Sequence, residues 1–331
     1  ARQISDRLRA TLEADHSLKP KELKKLDPDA RMKLANMLAK DEHVIEHTID
    51  LDYRYWGHDV VLKKLLPREE LCPSSYETVG HLLHLNLRDE QLPYKFLIGK
   101  VLLDKVPATK TVVNKVEPTG GPFRVFQMEL LAGKDDYEAH VRENGCTFDM
   151  DFSKVYWNSR LETEHRRIVD SLSKTDVLAD AFGGIGPFVI PAAKMKKCKT
   201  YGNDLNPSSI KYMQLNAKAN NVESLVTTSC SDARDFLKRL IAEKVPVTRV
   251  LMNFPSGAPE FLDLYQGAYI GAEELPLPTV SCYCFAPKDD PAQAIPRVKR
   301  ALFGETDDEF EASYRLVREV SPKKVHVCVT F

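Results

Sequence analysis

The 331-residue sequence lacks any apolar run near the roughly 18 residues that a bilayer span requires, so no membrane-spanning helix is expected. It also lacks a CxxC pair. The seven cysteines (Cys72, Cys146, Cys198, Cys230, Cys282, Cys284, Cys328) are odd in number and scattered, which argues against both a disulfide framework and a structural zinc site. The chain therefore reads as a reduced, intracellular protein of the cytoplasm, the nucleus or the mitochondrial matrix, holding no metal. A charge excess is missing too: 47 Lys and Arg against 48 Asp and Glu leave a formal net charge of −1, which argues against indiscriminate attraction to nucleic acid. Basic residues gather only locally, in "KPKELKK", "KMKKCK" and "RVKR". No repeat or low-complexity tract occurs. The opening "ARQISDRLRA" carries charge without an apolar signal core and reads as a trimmed N-terminus. Glycine is sparse, 15 residues in all, and three of these fall at 183, 184 and 186, within "DAFGGIGPFVIPAAK".

The length suggests two or three units. Residues 1–70 are polar and helix-prone, with "KELKKLDPDARMKLANMLAKDEHVIEHTI" reading as two amphipathic helices broken at Pro28. Residues 71–150 read as a small α+β unit. There "YKFLIGKVLLDKV", "TKTVVNKVE" and "FRVFQMELLAG" look like short β-rich runs between turns such as "PTGGP". From 151 to 331, after the helix-like "YWNSRLETEHRRIVDSL", strands "DVLADAF", "KTYGNDL", "LVTTSC" and "VTRVLMNF" alternate with helices "SSIKYMQLNAKAN" and "ARDFLKRLIAEK"; "KKVHVCVTF" closes the chain as a strand. Such alternation implies an α/β, doubly wound parallel sheet that binds ligands at the carboxyl ends of its strands.

The three glycines sit at a strand-turn-helix junction of that sheet, where absent side chains let a ligand approach the backbone. Asp204, 24 residues after Asp180, lies near the spacing at which an acid hydrogen-bonds a ribose diol. It could equally cap the helix after "NDLNP". The third glycine of G-x-G-x-x-G is absent, since Pro187 and Phe188 follow Gly186. Asp180 also sets a carboxylate beside the turn, which suits a sulfonium ligand with a free amino group better than a pyrophosphate. S-adenosylmethionine is accordingly favoured over a dinucleotide. Asp232, after the third strand, serves an adenine amino group, caps the next helix, or does both. The fourth strand runs into "NFPSGAPEF", where Pro255 stiffens a loop that would hold Asn253 toward a planar acceptor.

Together "HLLHLNLRDEQLPYKFLIGKVLLDK", "GGPFRVFQMELLAG", "KVYWNSRLETEHRRI", "DAFGGIGPFVIPAAK", "NDLNP", "NFPSGAPEF" and "VREVSPKKVHVCVTF" resemble the eukaryotic and archaeal tRNA (guanine-37, N1)-methyltransferases, from about Leu51 to the end. The resemblance implies a class I, Rossmann-like methyltransferase domain preceded by a small RNA-facing domain. It further implies a monomer that takes tRNA as partner and moves a methyl group from S-adenosylmethionine to guanine N1. By the same resemblance Glu164 is the general base that removes the N1 proton. Arg124 offsets charge growing on O6, Asn253 and Pro255 hold the flipped guanine, and Tyr156 lies near donor and base. The donor's contacts are then Asp180, Phe182, Gly183, Gly184, Gly186, Asp204, Leu205, Asp232, Ala233 and Asn253.

Read without the resemblance, Glu164 is a surface residue paired with Arg160, Arg124 an ion-pair partner and Tyr156 a packing residue. Two positions depart from the pattern: Phe254 stands where the family usually has leucine, and Ser281 where histidine is expected. Rival readings are a wybutosine-pathway aminocarboxypropyl transferase, a catalytically inert tRNA-binding relative, and an exocyclic-amino methyltransferase. Glu164 opposes the first, because that reaction removes no N1 proton. The intact glycines and base oppose the second, and Phe254-Pro255-Ser256 in place of Pro-Pro-aromatic opposes the third.

Overall fold

Apart from positions 29, 32 and 33, the computed structural model describes residues 52–116, 123, 125–305 and 310–331. The amphipathic helices expected before residue 50 fall almost wholly outside the described residues, and so does Arg124. The chain divides into Ala1–Gly57 and His58–Phe331. In the first unit, the described turn after Asp52 is held by an Arg54–Asp52 ion pair of 2.7 Å.

The second unit begins with α1 (His58–Leu65), followed by β1 (Glu77–Val79), β2 (Leu82–Leu85), α2 (Lys95–Lys105), β3 (Thr111–Lys115) and β4 (Met128–Gly133). These strands form a four-stranded sheet in the order β1-β2-β3-β4, in which only β2 and β3 are parallel. The segment "YKFLIGKVLLDKV" is thus helix α2, not a β-rich run. Its Ile98, Val101 and Leu102 sit at helical spacing and are buried with Leu83, Leu85 and Val112. Gly99 makes the close packing possible, since a Cβ there would meet the Leu131 Cβ at 2.6 Å.

A hairpin follows, β5 (Glu138–Glu143) and β6 (Cys146–Asp151), joined by Asn144 and Gly145. Both turn residues have positive φ (48° and 70°), the conformation that an Asn-Gly two-residue turn favours.

The remaining elements are α3 (Glu162–Asp170), β7 (Val177–Asp180), β8 (Lys199–Asn203), α4 (Pro207–Ala219), β9 (Val226–Ser229), α5 (Ala233–Ala242), β10 (Arg249–Met252), β11 (Thr279–Pro287), α6 (Ala294–Phe303), β12 (Ser313–Ser321) and β13 (Lys324–Thr330). The large sheet has the order β12-β13-β11-β10-β7-β8-β9. Strands β9, β8, β7, β10 and β11 are parallel, whereas β13 and β12 run antiparallel at one edge. Alternate residues of the central strands enter opposite cores: Leu178, Leu251 and Tyr283 pack in one, Ala179, Val250 and Cys282 in the other. A sheet buried on both faces explains the near-continuous apolar runs in its strands. The chain leaves β7 toward β8 on one side and reaches β10 on the other, so a crevice opens at the carboxyl end of β7.

The hairpin is fastened to α4 through side chains. Asn216 exchanges two hydrogen bonds with the Asp149 backbone (2.8 and 3.1 Å), and Asn220 does the same with Thr147 (3.1 and 2.7 Å). Side-chain amides here stand in for a neighbouring strand.

Candidate active site

Strand β7 ends at Asp180, whose side chain is fully buried. One carboxylate oxygen accepts the Phe182 amide at 3.2 Å; the other is buried and lacks a hydrogen-bond partner. Burial, helped by the nearby charge of Asp204, pushes its pKa up to about 7. Beyond it the three glycines form the turn between β7 and the following helical segment. The Gly183 amide donates to the Asn203 carbonyl at 2.6 Å, and a Cβ at Gly183 would lie 2.9 Å from the Met213 methyl. Gly186 has φ of +97°, a region open to glycine. Asp204 accepts the Gly184 amide on one oxygen and the Asn206 amide on the other, both at 2.9 Å. Burial raises the Asp204 pKa as well. Asp232 caps α5 by accepting the Arg234 amide at 2.8 Å.

Asn203 ties these loops together, a role that sequence reasoning missed. Its side-chain nitrogen donates to the carbonyls of Ala181 and Ser231, while its oxygen accepts the Ser231 amide. The signal available was an amide side chain at a strand end, one residue before an acid.

The loops enclose a cavity of about 390 Å³. Phe182, Gly183, Gly184, Asp204, Leu205, Asp232 and Ala233 line one end, and Tyr156, Asn253, Phe254 and Pro255 also reach its wall. Of the donor contacts named from sequence, Asp180 and Gly186 do not line it. The Phe182 amide draws the Asp180 carboxylate inward, and Gly186 turns the chain behind the wall toward Ile190.

Phe254 stacks on Phe182, with ring centres 5.0 Å apart and an interplanar angle of 20°, so the Asn253–Pro255 loop meets the glycine turn. Gly257 leaves room for this larger ring, since a Cβ there would meet Phe254 Cε1 at 2.5 Å. The Pro255 carbonyl accepts the Phe285 amide at 3.1 Å, which pins the loop to β11 and takes that carbonyl away from a planar acceptor. Tyr156 lies 6.2 Å from the Phe126 ring. Ser281 is buried in β11 and does not line the cavity.

Glu164 is buried and does not line the cavity, although Leu161, three positions before it, and the adjoining His165 do. It is not the surface partner of Arg160, because Glu77 of β1 captures Arg160 at 2.6 Å. Instead Arg167 grips both Glu164 oxygens, at 2.6 and 2.8 Å, and the Tyr283 hydroxyl donates to Oε1 at 2.8 Å. His165 is held by the buried Glu143 at 2.6 Å. His326 of β13 reaches the wall with its Nε2 unpartnered and its pKa lowered by burial to about 4, so its ring is neutral. Arg167, Tyr283 and His326 were not legible as site residues, since an antiparallel edge and a three-residue helical step deliver them.

A family model described as the TRM5/TYW2 methyltransferase domain matches residues 139–269, and one described as the TYW2 N-terminal domain matches residues 59–136. A tRNA (guanine(37)-N(1))-methyltransferase of Phytophthora infestans is 46% identical over 314 residues, covering 95% of this chain and 76% of the relative. Another, of Dictyostelium discoideum, is 44% identical over 298 residues, covering 88% of this chain and 64% of the relative. Among solved structures, that of aTrm5 in complex with tRNALeu aligns with a TM-score of 0.69 at 27% identity, covering 92% of this chain and 86% of that one.

Proposed function

Because the chain belongs to the tRNA (guanine(37)-N(1))-methyltransferase family, we propose that it methylates N1 of guanine 37 in tRNA with S-adenosylmethionine as donor. The observation that carries this reading is one cavity lined by the glycine turn, Asp204 and the Asn253–Pro255 loop together, with the buried Glu164 adjoining its lining residue His165 in sequence.

The residues at the turn fit the donor. Phe182 and Leu205 offer apolar surface to an adenine ring, and Asp204 retains acceptor capacity for ribose hydroxyls beyond the two amides it already holds. The unpartnered oxygen of Asp180 leaves an acceptor beneath the turn, and a cationic ligand nearby would favour its charged form. S-adenosylmethionine supplies an electrophilic methyl carbon bonded to a positively charged sulfur.

Guanine N1 carries a proton at neutral pH and is a poor nucleophile until that proton leaves. Glu164 is the group we assign to remove it. A carboxylate offers about four acceptor sites, and Arg167 and Tyr283 occupy three of those on Glu164. One site on Oε2 is left for the incoming proton. Glu164 itself does not line the cavity, so reaching the base requires it to exchange its Arg167 contact, and we assign that exchange to tRNA docking. Arg124 is assigned to the charge that develops on O6. Asn253 addresses the edge of the flipped base and Tyr156 its face. The small-sheet region, residues 71–150, is assigned to the tRNA.

Aminocarboxypropyl transfer, the wybutosine-pathway alternative, is the second reading. The curated relatives that cover most of this chain are named for methyl transfer, which favours the first reading. The test is transfer of labelled methyl to transcripts bearing guanine or adenine at position 37, followed by nucleoside mass spectrometry. The expected product is 1-methylguanosine from the guanine transcript alone. An aminocarboxypropyl product on a wybutosine precursor would overturn the reading.

A further inference from the structure

A second cavity, of about 460 Å³, lies between the small sheet and the Ser159–Leu161 turn. Its volume falls in the range of small-ligand sites, and its lining is polar. Glu77, His84, Arg88, Lys115 and Arg160 supply the ionisable groups that matter. Burial lowers the His84 pKa to about 3, so this imidazole contributes no charge. Three cations then face one carboxylate, and that carboxylate, Glu77, is already paired with Arg160. Arg88 directs one nitrogen to the Glu70 carbonyl. Lys115 is unlike the others. Its ammonium rests 3.7 Å from the centre of the Phe126 ring and, among the described residues, makes no ion pair within 4 Å. Desolvation disfavours that charge and lowers the pKa of Lys115. A desolvated ammonium on an aromatic face, in a cavity of net positive charge, calls for an anion.

The position of the cavity says which anion. Phe126 lines both cavities, and Arg160 belongs to the short turn whose neighbours Asn158 and Leu161 line the first. A ligand in the second cavity is therefore next door to whatever fills the first. We propose that the second cavity takes the nucleotide adjoining the flipped guanine, with its phosphodiester on Lys115 and Arg160 and Phe126 as the partition between two splayed bases. This rests on the tRNA reading above. A single-stranded loop suits such a site, because its bases unstack cheaply and lie against aromatic rings while cations track the backbone.

The test uses full-length ligated tRNA carrying one neutral methylphosphonate linkage, placed either immediately 5′ or immediately 3′ of position 37. Filter retention and steady-state kinetics are read for the wild type, Lys115→Gln and Lys115→Arg. For the wild type, one of the two neutral linkages should weaken retention about tenfold, as loss of a charge-assisted contact does. Lys115→Gln should lose part of that affinity on native tRNA, lose less than the wild type when that linkage is added, and reduce the salt slope of binding by about one. Lys115→Arg should retain most of the affinity.

Normal retention by Lys115→Gln, or losses that multiply when linkage and variant are combined, would overturn the proposal. Unchanged donor affinity of Lys115→Gln by calorimetry shows that its fold is intact. Retention is read without turnover, so absence of methyl transfer by the wild type overturns the reaction assigned above, while the linkage comparison still decides the second cavity.

Discussion

At the glycine-turn end of the main cavity, polar groups are fixed by backbone: Asp204 by the amides of Gly184 and Asn206, Asp232 by that of Arg234. Glu164, the group we assign to the N1 proton, is fixed instead by other side chains, Arg167 and Tyr283. Backbone amides stay where the fold puts them, whereas side-chain partners can be exchanged in a rotamer change. The first arrangement suits a ligand of constant shape; under the function we propose, the second would let Glu164 change partners when a large substrate docks.

The sharpest way to break this comparison is Glu164→Gln, which should cut single-turnover methylation by roughly 10²–10⁴-fold and leave donor affinity intact by calorimetry. A parallel fall in donor affinity would mean that the two arrangements are not separable. Asp180→Asn probes the fixed end through stability. Burial raises the folded pKa of Asp180 to about 7 from 3.8, so between these values the folded state binds more protons than the unfolded state. The stability this confers is complete below pH 4 and is lost as pH rises to 7. Asp180→Asn has no charge to bury, and above pH 7 it should be the more stable protein by up to about 4 kcal/mol. Urea melts at pH 4 and pH 8 check this: the difference should be near zero at the first and largest at the second.

Asp204→Ala comes next, weakening donor binding by roughly 10- to 100-fold, the loss expected when hydrogen bonds to a charged group disappear, with KM for tRNA unchanged. The smallest effect is that of Tyr283→Phe. It removes one of three hydrogen bonds on Glu164 and should alter kcat about tenfold with little change in donor affinity, as measured in the same assays.

The alternating strands and helices were legible because buried parallel strands write themselves as apolar runs between caps and turns. Asp204 and Asp232 were legible for the same reason: in such a sheet, chemistry sits just past strand ends. Helix α2 was not, since a short apolar run between Pro93 and Pro107 satisfies both periods, and burial against β4 through Gly99 settles the matter. The partner of Glu164 was hidden by a similar degeneracy. Arg160 and Arg167 are both within helical reach of it, and Glu77, more than 80 positions from Arg160, removes the first from contention. Tyr283 and His326 depend on the antiparallel register of β11 and β13, which no local pattern specifies.

The paired amides of Asn216 and Asn220 bear on how far this chain can be dissected. An unpaired strand edge recruits other strands, and β6 is protected from that by two side chains on a helix some 70 residues downstream. A fragment ending at Asp151 would carry the hairpin without its guard and expose the Thr147 and Asp149 backbone to self-association. Cutting the chain where its sequence texture changes would yield an aggregation-prone piece, and the hairpin is best kept with the half that guards it.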